Sequence, residues 1–365
     1  MSFKKVYCCT PVAFPADEHY FIRDTGLICR NLLAMGIESK CIMPLPYHDE
    51  DQREHLIRTE YSNLESPEWW KSLAIDALVL YSWGAPRYRR VARAVRKAGI
   101  TSLIHLDMSS NLHTTRNGTI IGWLRDMAVN ILRARHLSYA HVVTASAPAI
   151  EAMRNSIYYG KRILSKTYDF PTPVAPHFCV SSEEKEYKVV CVGRWSDGEN
   201  DEVKRPEFCI RTAQELVKID PDVRVEIYGR TGKIIEGIYE STEIGKERIA
   251  LKGYISNQDL PTVYQRSLVS YCTSKSEGTH ISSAEALCCG CSIAVTPRPR
   301  LNIVQWYTSK ESGTVSSADT PESLAKAIFD ELQAWKEGRR SSSQIANAWQ
   351  QSFHVNKALK KIFNL

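Results

Sequence analysis

The sequence has no apolar run approaching the ~18 to 20 residues that a bilayer-spanning helix needs, so no segment reads as a transmembrane helix. It has no low-complexity tract and no short-period repeat, which sets aside solenoids, collagen-like chains and disordered linkers. Nor does it open on an apolar leader: Met1-Ser2-Phe3-Lys4-Lys5 runs directly into a strand pattern, and the expectation is a cytoplasmic protein, peripheral at a membrane surface at most. Cysteine is plentiful, but ordered cysteine spacing is missing. The 11 thiols are an odd number without the two C-x2-C pairs of a zinc site, so buried free thiols are expected rather than a disulfide framework. Where thiols do gather, at Cys288, Cys289 and Cys291, they read as small residues around a helix-ending glycine and not as a metal site. Neither sign of charge dominates. Lys and Arg number 47 against 41 Asp and Glu, a net +6 that suits an anionic ligand or surface without demanding one. The basic run from Arg87 to Lys97 has one aromatic, Tyr88, and no nucleic-acid motif, so it reads as a solvated helix face, with a membrane- or polyanion-facing surface as the minority reading and no nucleic-acid partner expected.

At 365 residues the chain can build two cores of ordinary domain size. From Lys4 to about Val143, short apolar runs alternate with helical periods, the pattern of a parallel sheet covered by helices. Strands are expected at Lys5 to Thr10, Lys40 to Met43, Ala77 to Tyr81, Thr101 to His105 and His141 to Thr144. Trp123 to Leu137 carries Trp123, Leu124, Met127, Ile131 and Leu132 on one side, which predicts a sheet-covering helix, with contact at a membrane interface as the alternative. The proline-bearing stretch Tyr168 to Pro176 reads as an interdomain linker. The alternation then restarts, with strands at Lys188 to Val192, Val223 to Tyr228, Ile249 to Lys252, Leu268 to Cys272 and Ser292 to Val295. Thr320-Pro321-Glu322 caps a long helix near the end.

Chemistry concentrates in the second half. Ser276-Glu277-Gly278-Thr279-His280-Ile281-Ser282-Ser283-Ala284-Glu285 places two carboxylates eight positions apart around a glycine, after an apolar strand and across the start of a helix. Glycine admits close backbone approach, and a helix start offers unsatisfied N–H groups to an anion. Upstream, Val190-Cys191-Val192-Gly193-Arg194 is followed ten positions after the arginine by Lys204-Arg205-Pro206, and Lys252-Gly253-Tyr254-Ile255-Ser256 leads to Leu260-Pro261. In the first half, Asp24-Thr25-Gly26 precedes a helix, and Ile100 to His105 is a strand with a terminal histidine.

These segments resemble retaining GT-B glycosyltransferases, in particular glycosyltransferase family 4, most specifically over Lys188 to Thr296. The resemblance implies an α/β, GT-B fold: two Rossmann-like, doubly wound domains facing a deep interdomain cleft. Their expected bounds are 1–175 for the acceptor side, 176–342 for the donor side and 343–365 for a helix returning to the first domain. It implies transfer of a sugar from a nucleotide-diphosphate donor to a carbohydrate, lipid-linked or other hydroxyl acceptor, in glycan or glycoconjugate synthesis. By the same resemblance Glu277 holds the sugar's hydroxyls, Gly278, Thr279 and His280 approach sugar and phosphates, and Glu285 holds the ribose. Arg194 and Lys204 meet the diphosphate, Gly253 and Tyr254 line the base pocket, Gly26 lies near the diphosphate, and His105 points into the cleft, with Asp107 as its alternative. Arg205 stands where the family has glycine and could substitute for Lys204. Tyr254 could equally be a packed core edge, and His280 an exposed helix-start residue. No cofactor or metal is implied, because Arg194 and Lys204 can neutralise a departing diphosphate. A GT-B nucleotide-sugar epimerase and a catalytically idle GT-B partner subunit remain as rivals.

Overall fold

The computed structural model describes residues 3–81, 85–100, 102–106, 119–170, 173–195, 197, 201–243, 245–275, 277, 280–297 and 306–363. It divides into two compact units, Met1–Ala175 with Ser352–Leu365, and Pro176–Gln351.

The first unit is built on strands β1 (Val6–Cys9), β2 (Cys41–Pro44), β3 (Leu56–Thr59), β4 (Ala77–Tyr81), β5 (Ser102–Leu106), β6 (Val142–Ala145) and β7 (Thr167–Asp169). All pairings are parallel, in the order β3-β2-β1-β4-β5-β6-β7, so the strand order reverses between β1 and β4. A parallel sheet covered on both faces needs strands apolar on both sides, and β1, β2 and most of β4 are buried throughout. Local signals set the helix ends. Ser66 accepts the Trp69 N–H at 3.2 Å with Pro67 in the first turn, and Gly36, at φ +78°, follows the helix Asp24–Ala34.

β3 and β7 depart from the expected pattern. β3 carries Arg58, whose guanidinium is fully buried and grips Asp51 through Nε (3.0 Å) and Nη2 (2.7 Å). β7 takes the opening of the stretch expected to be a linker, and Val174 beyond it donates its N–H to Phe353 O (2.8 Å) and accepts from Val355 (3.1 Å). That segment is therefore tied to the returning helix Val355–Phe363, whose Phe363 meets Phe3 edge-to-face at 5.0 Å. The helix Ile120–Tyr139 differs in part from its expected role: Leu137 is buried in the core, but Ile120, Ile121, Trp123, Leu124, Ile131 and Leu132 are exposed.

The second unit holds β8 (Glu186–Val192), β9 (Arg224–Tyr228), β10 (Ile249–Gly253), β11 (Ser267–Cys272), β12 (Ser292–Val295) and β13 (Gly313–Val315), in the parallel order β10-β9-β8-β11-β12-β13. Its core sets Val189, Val225, Ile227 and Val269 against Ile210 and Leu216 of the helix Pro206–Ile219 and Leu324 and Ile328 of the helix Pro321–Lys336. The order reverses between β8 and β11, and ligands of open α/β sheets bind beyond the carboxyl ends of the strands at such a point.

Candidate functional site

Beyond β8 the chain runs very close to the segment leaving β9. Gly193 N–H donates to Tyr228 O (3.0 Å) and Trp195 N–H to Arg230 O (2.8 Å). A Cβ on Gly229, at φ +140°, would lie 1.7 Å from Gly193 O, and one on Gly193 would strike the Trp195 ring at 2.6 Å. Both glycines are thus required by close approach. Trp195 is buried, and Arg194 before it is exposed.

Asp197 accepts the N–H groups of Lys233 and Ile234, each at 3.0 Å, and so caps the helix Lys233–Glu240. The chain then returns through the short helix Asp201–Lys204 to Arg205, whose φ of +54° is the left-handed conformation that a glycine takes without cost. Arg205 is held by its surroundings: Nε donates to Thr273 O at 2.5 Å, Nη1 to Asp319 at 2.8 Å, and the guanidinium sits 3.8 Å from the Phe208 ring centre. Lys204 instead pairs with Glu277, and Thr273 Oγ1 donates to Lys204 O at 3.1 Å. The two adjacent cations therefore have different partners, Lys204 the Glu277 carboxylate and Arg205 the Thr273 carbonyl and Asp319.

Glu277 lies just past the end of β11. Burial pushes its pKa up, but the neighbouring His280 and Lys204, with hydrogen bonds from Lys204 and Ser274, outweigh that and hold it below the ordinary carboxylate range. His280 is buried rather than exposed, and it caps the helix Ile281–Cys288: Nδ1 accepts the Ser283 N–H (3.2 Å) and lies 2.7 Å from Ser283 Oγ, while Nε2 is 3.3 Å from Cys272 Sγ. Burial opposes its charged form, yet Cys272 and Glu277 raise its pKa overall. The two influences pull apart, since the cap geometry is that of the neutral ring with its proton on Nε2. A second proton would turn Nδ1 into a donor to Ser283 Oγ.

Glu285 is buried on the same helix, near Tyr264, whose hydroxyl is buried without a hydrogen-bond partner and is pushed upward in pKa by burial and then by Glu285. Gly253 closes β10 at φ +73° with open space where a side chain would stand. Tyr254 is 59% exposed, with the Arg230 guanidinium 5.6 Å from its ring centre, so it is not a core edge. Gly278 and Thr279 lie outside the described residues, as does Asp107.

Cys288, Cys289 and Cys291 are buried; the Cys291 thiol donates to Tyr264 O (2.9 Å) and Ser267 O (3.1 Å), and burial pushes the Cys289 and Cys291 thiols up. No group of three or more His, Cys, Asp or Glu side chains that could hold a metal occurs among the described residues. Of two Asp-x-Asp triplets, Asp49-Glu50-Asp51 gives Asp51 to Arg58, and Asp220-Pro221-Asp222 gives Asp220 to the Tyr187 hydroxyl at 2.5 Å.

The first-unit candidates have internal environments. Gly26 is the third residue of the helix Asp24–Ala34, and a Cβ there would lie 2.4 Å from Tyr20 O, so contact with the short helix Glu18–Phe21 accounts for it. His105 is 2% exposed and meets the Tyr88 ring edge-to-face at 4.7 Å. Among the described residues neither of its ring nitrogens has a hydrogen-bond partner, and burial, then Arg133, His136 and Lys166, push its pKa well down. It is a neutral imidazole inside the unit rather than one at an open strand end. The structure thus brings Lys204, Glu277 and His280 together past the end of β11, with Glu285 buried further along the helix that His280 caps and Arg194 just beyond the end of the adjacent strand β8. Cys272 and Asp197 belong to this region as well; no spacing in the sequence marks either.

Two doubly wound parallel-sheet units, the second bearing carboxylates and cations at its strand ends, define the GT-B class of glycosyltransferase fold. Residues 186–333, which lie within the second unit, match the family model described as Glycosyl transferases group 1. Among solved structures, HepE of Anabaena in complex with UDP has a TM-score of 0.68 at 13% identity over 99% of each chain. Sucrose-phosphate synthase from Thermosynechococcus elongatus gives 0.64 at 15% identity over 99% of this chain and 98% of that one. A protein described as a UDP-N-acetylglucosamine 2-epimerase from Listeria monocytogenes gives 0.60 at 11%, over 99% and 95%. At these identities the likeness is one of fold. No curated protein matches the sequence.

Proposed function

We propose that the chain is a retaining, metal-independent glycosyltransferase that moves a sugar from a nucleoside diphosphate donor to a hydroxyl acceptor in glycan or glycoconjugate synthesis. The observation that carries this is the Lys204–Glu277 ion pair just past the end of β11, with Glu285 buried eight positions on and Arg194 leaving the neighbouring strand. An ionised Glu277 accepts hydrogen bonds from the sugar's hydroxyls. Glu285 takes the ribose, and exposed Tyr254 offers a ring face to the base. Arg194 and Lys204 meet the diphosphate, where negative charge grows as the glycosidic bond breaks. The acceptor oxygen bonds to the anomeric carbon on the face the diphosphate leaves, and the acceptor's proton passes to a leaving phosphate oxygen. No enzymic nucleophile is required, and His105, buried beneath Tyr88, is left out of the chemistry.

HepE was solved with UDP, which makes UDP sugars the first donors to try. Incubation with a panel of UDP sugars and simple sugar acceptors in excess chelator should give acceptor-dependent release of UDP and a product whose anomeric configuration, read by NMR, matches the donor's. A requirement for Mg2+ or Mn2+ would remove the cation assignment, and an inverted product would remove the same-face step. Interconversion of the donor sugar without acceptor would make the protein an epimerase instead.

A further inference from the structure

The helix Ile120–Tyr139 carries its polar residues inward and its apolar residues outward. Asp126, Asn130, Arg133 and Leu137 recur every three or four positions on one side, with Asp126 and Leu137 buried and Asn130 accepting from the Tyr159 hydroxyl at 2.9 Å. On the opposite side, Ile120 and Ile121 are 80% and 79% exposed and Leu124, Ile131 and Leu132 are exposed with them, while Trp123, three positions before Asp126, is exposed at the flank. A helix that only covers a sheet does the reverse. Scattered exposed apolar residues need no explanation, but five along one helix face do.

Charge says what covers this face. The helix Ala85–Lys97 packs alongside: its Arg96 guanidinium lies 5.9 Å from the Tyr139 ring centre, and its Tyr88 ring 5.4 Å from His136. Arg89, Arg93, Arg96 and Lys97 are exposed there, as are Arg125 and Arg135 on the apolar helix itself. Exposed Arg90 is paired with Glu65, and the one acidic residue in the two helices, Asp126, is buried. An apolar stripe flanked by a tryptophan and by cations matches the interface of a bilayer with anionic headgroups. A symmetric contact with a second copy would bring the same cations against each other. No helix among the described residues is long and apolar enough to cross a membrane, so this one would lie in the surface plane.

We propose that the Ile120–Tyr139 helix docks the first unit onto an anionic bilayer, with Ile121, Trp123, Leu124 and Leu132 at the acyl boundary and the Arg89 to Lys97 cations on headgroups. This does not depend on the transferase reading. The test is sedimentation of the full chain with phosphatidylcholine vesicles, with and without phosphatidylglycerol. Binding should be at least about tenfold tighter with phosphatidylglycerol and should weaken as salt rises. Combining Ile121→Ser, Leu124→Ser and Leu132→Ser should cut binding about tenfold or more with melting unchanged, because these side chains are solvent-facing. Trp123→Phe should remove fluorescence quenching by lipids brominated on the acyl chain. Equal binding by the triple variant, or no binding to either vesicle, would overturn the proposal. So would a wild-type dimer in lipid-free buffer that the triple variant turns into a monomer, since a second copy would then be the occupant.

Discussion

A carboxylate that is to hold sugar hydroxyls must stay ionised although its burial opposes ionisation, and Glu277 achieves this through Lys204 and His280. Glu277→Gln keeps the shape but loses the charge and leaves Lys204 unpaired. It should lower kcat/KM about ten- to a hundredfold, the equivalent of roughly 1.5–3 kcal/mol for a charged hydrogen bond. Glu285→Gln, by contrast, should raise the Kd of the free nucleoside diphosphate, because the ribose contact is present before any bond breaks; calorimetric titration separates the two cases. If both variants match wild type, the site is elsewhere. Asp51 poses the same problem in a structural setting. Burial raises its pKa, but Arg58 and the N–H groups of His48 and Ala16 lower it to about 2 from an ordinary 3.8. Because the folded value is the depressed one, its stabilisation is fully present above pH 3.8 and is lost as pH falls through about 2. Its size is about 2 kcal/mol. Asp51→Asn leaves the Arg58 charge buried and should cost about 3–5 kcal/mol at pH 7 in urea unfolding, with the gap from wild type narrowing as the pH approaches 2.

Elements were legible in the sequence where local chemistry and tertiary role agree. The apolar runs of β1, β4, β8 and β11, the Ser66-Pro67 and Thr320-Pro321 caps and the carboxylate pair of the Glu277 segment could all be read because each states its own environment. β3 could not, since Arg58 breaks its apolar pattern and only the distant Asp51 explains a buried guanidinium. β7 and β13 are three-residue strands whose pairing is a property of their neighbours. The period of the Ile120–Tyr139 helix was plain, but periodicity gives the direction of an apolar face and not what covers it. Arg205, which stands where the resembled family has glycine, takes a left-handed backbone conformation, and its contacts to Thr273 and Asp319, invisible in the sequence, hold it there. Gly26 illustrates the opposite difficulty, where one residue has both a packing reason and an expected ligand role. Gly26→Ala would press a Cβ to 2.4 Å from Tyr20 O and should destabilise the first unit by about 1–3 kcal/mol with no ligand present. Hydrogen exchange along Glu18–Phe21 would read this; unchanged protection there would mean that the glycine is not required for packing.

At the scale of the molecule, the second unit is inserted into the first: residues 176–351 come between the sheet of β1 to β7 and the helix Val355–Phe363 that packs on the helix Asp24–Ala34. That last helix buries Val355, Leu359 and Phe363. Deleting residues 352–365 should therefore melt the first unit at lower temperature while the second keeps its own transition, at a cost of several kcal/mol by the area of three large apolar side chains. Limited proteolysis that cut both units equally in the shortened chain would contradict this division. The interrupted arrangement also imposes an order in time. During synthesis, residues 1–175 emerge before the helix that completes them exists, and at roughly 5–20 residues per second the wait is on the order of ten to forty seconds. Through that interval the uncovered flank of Asp24–Ala34 is exposed on the nascent chain, whereas the inserted unit closes from one continuous stretch. The unit made first is thus the last to be finished, and chaperone capture of the new chain should persist until Phe363 has left the exit tunnel.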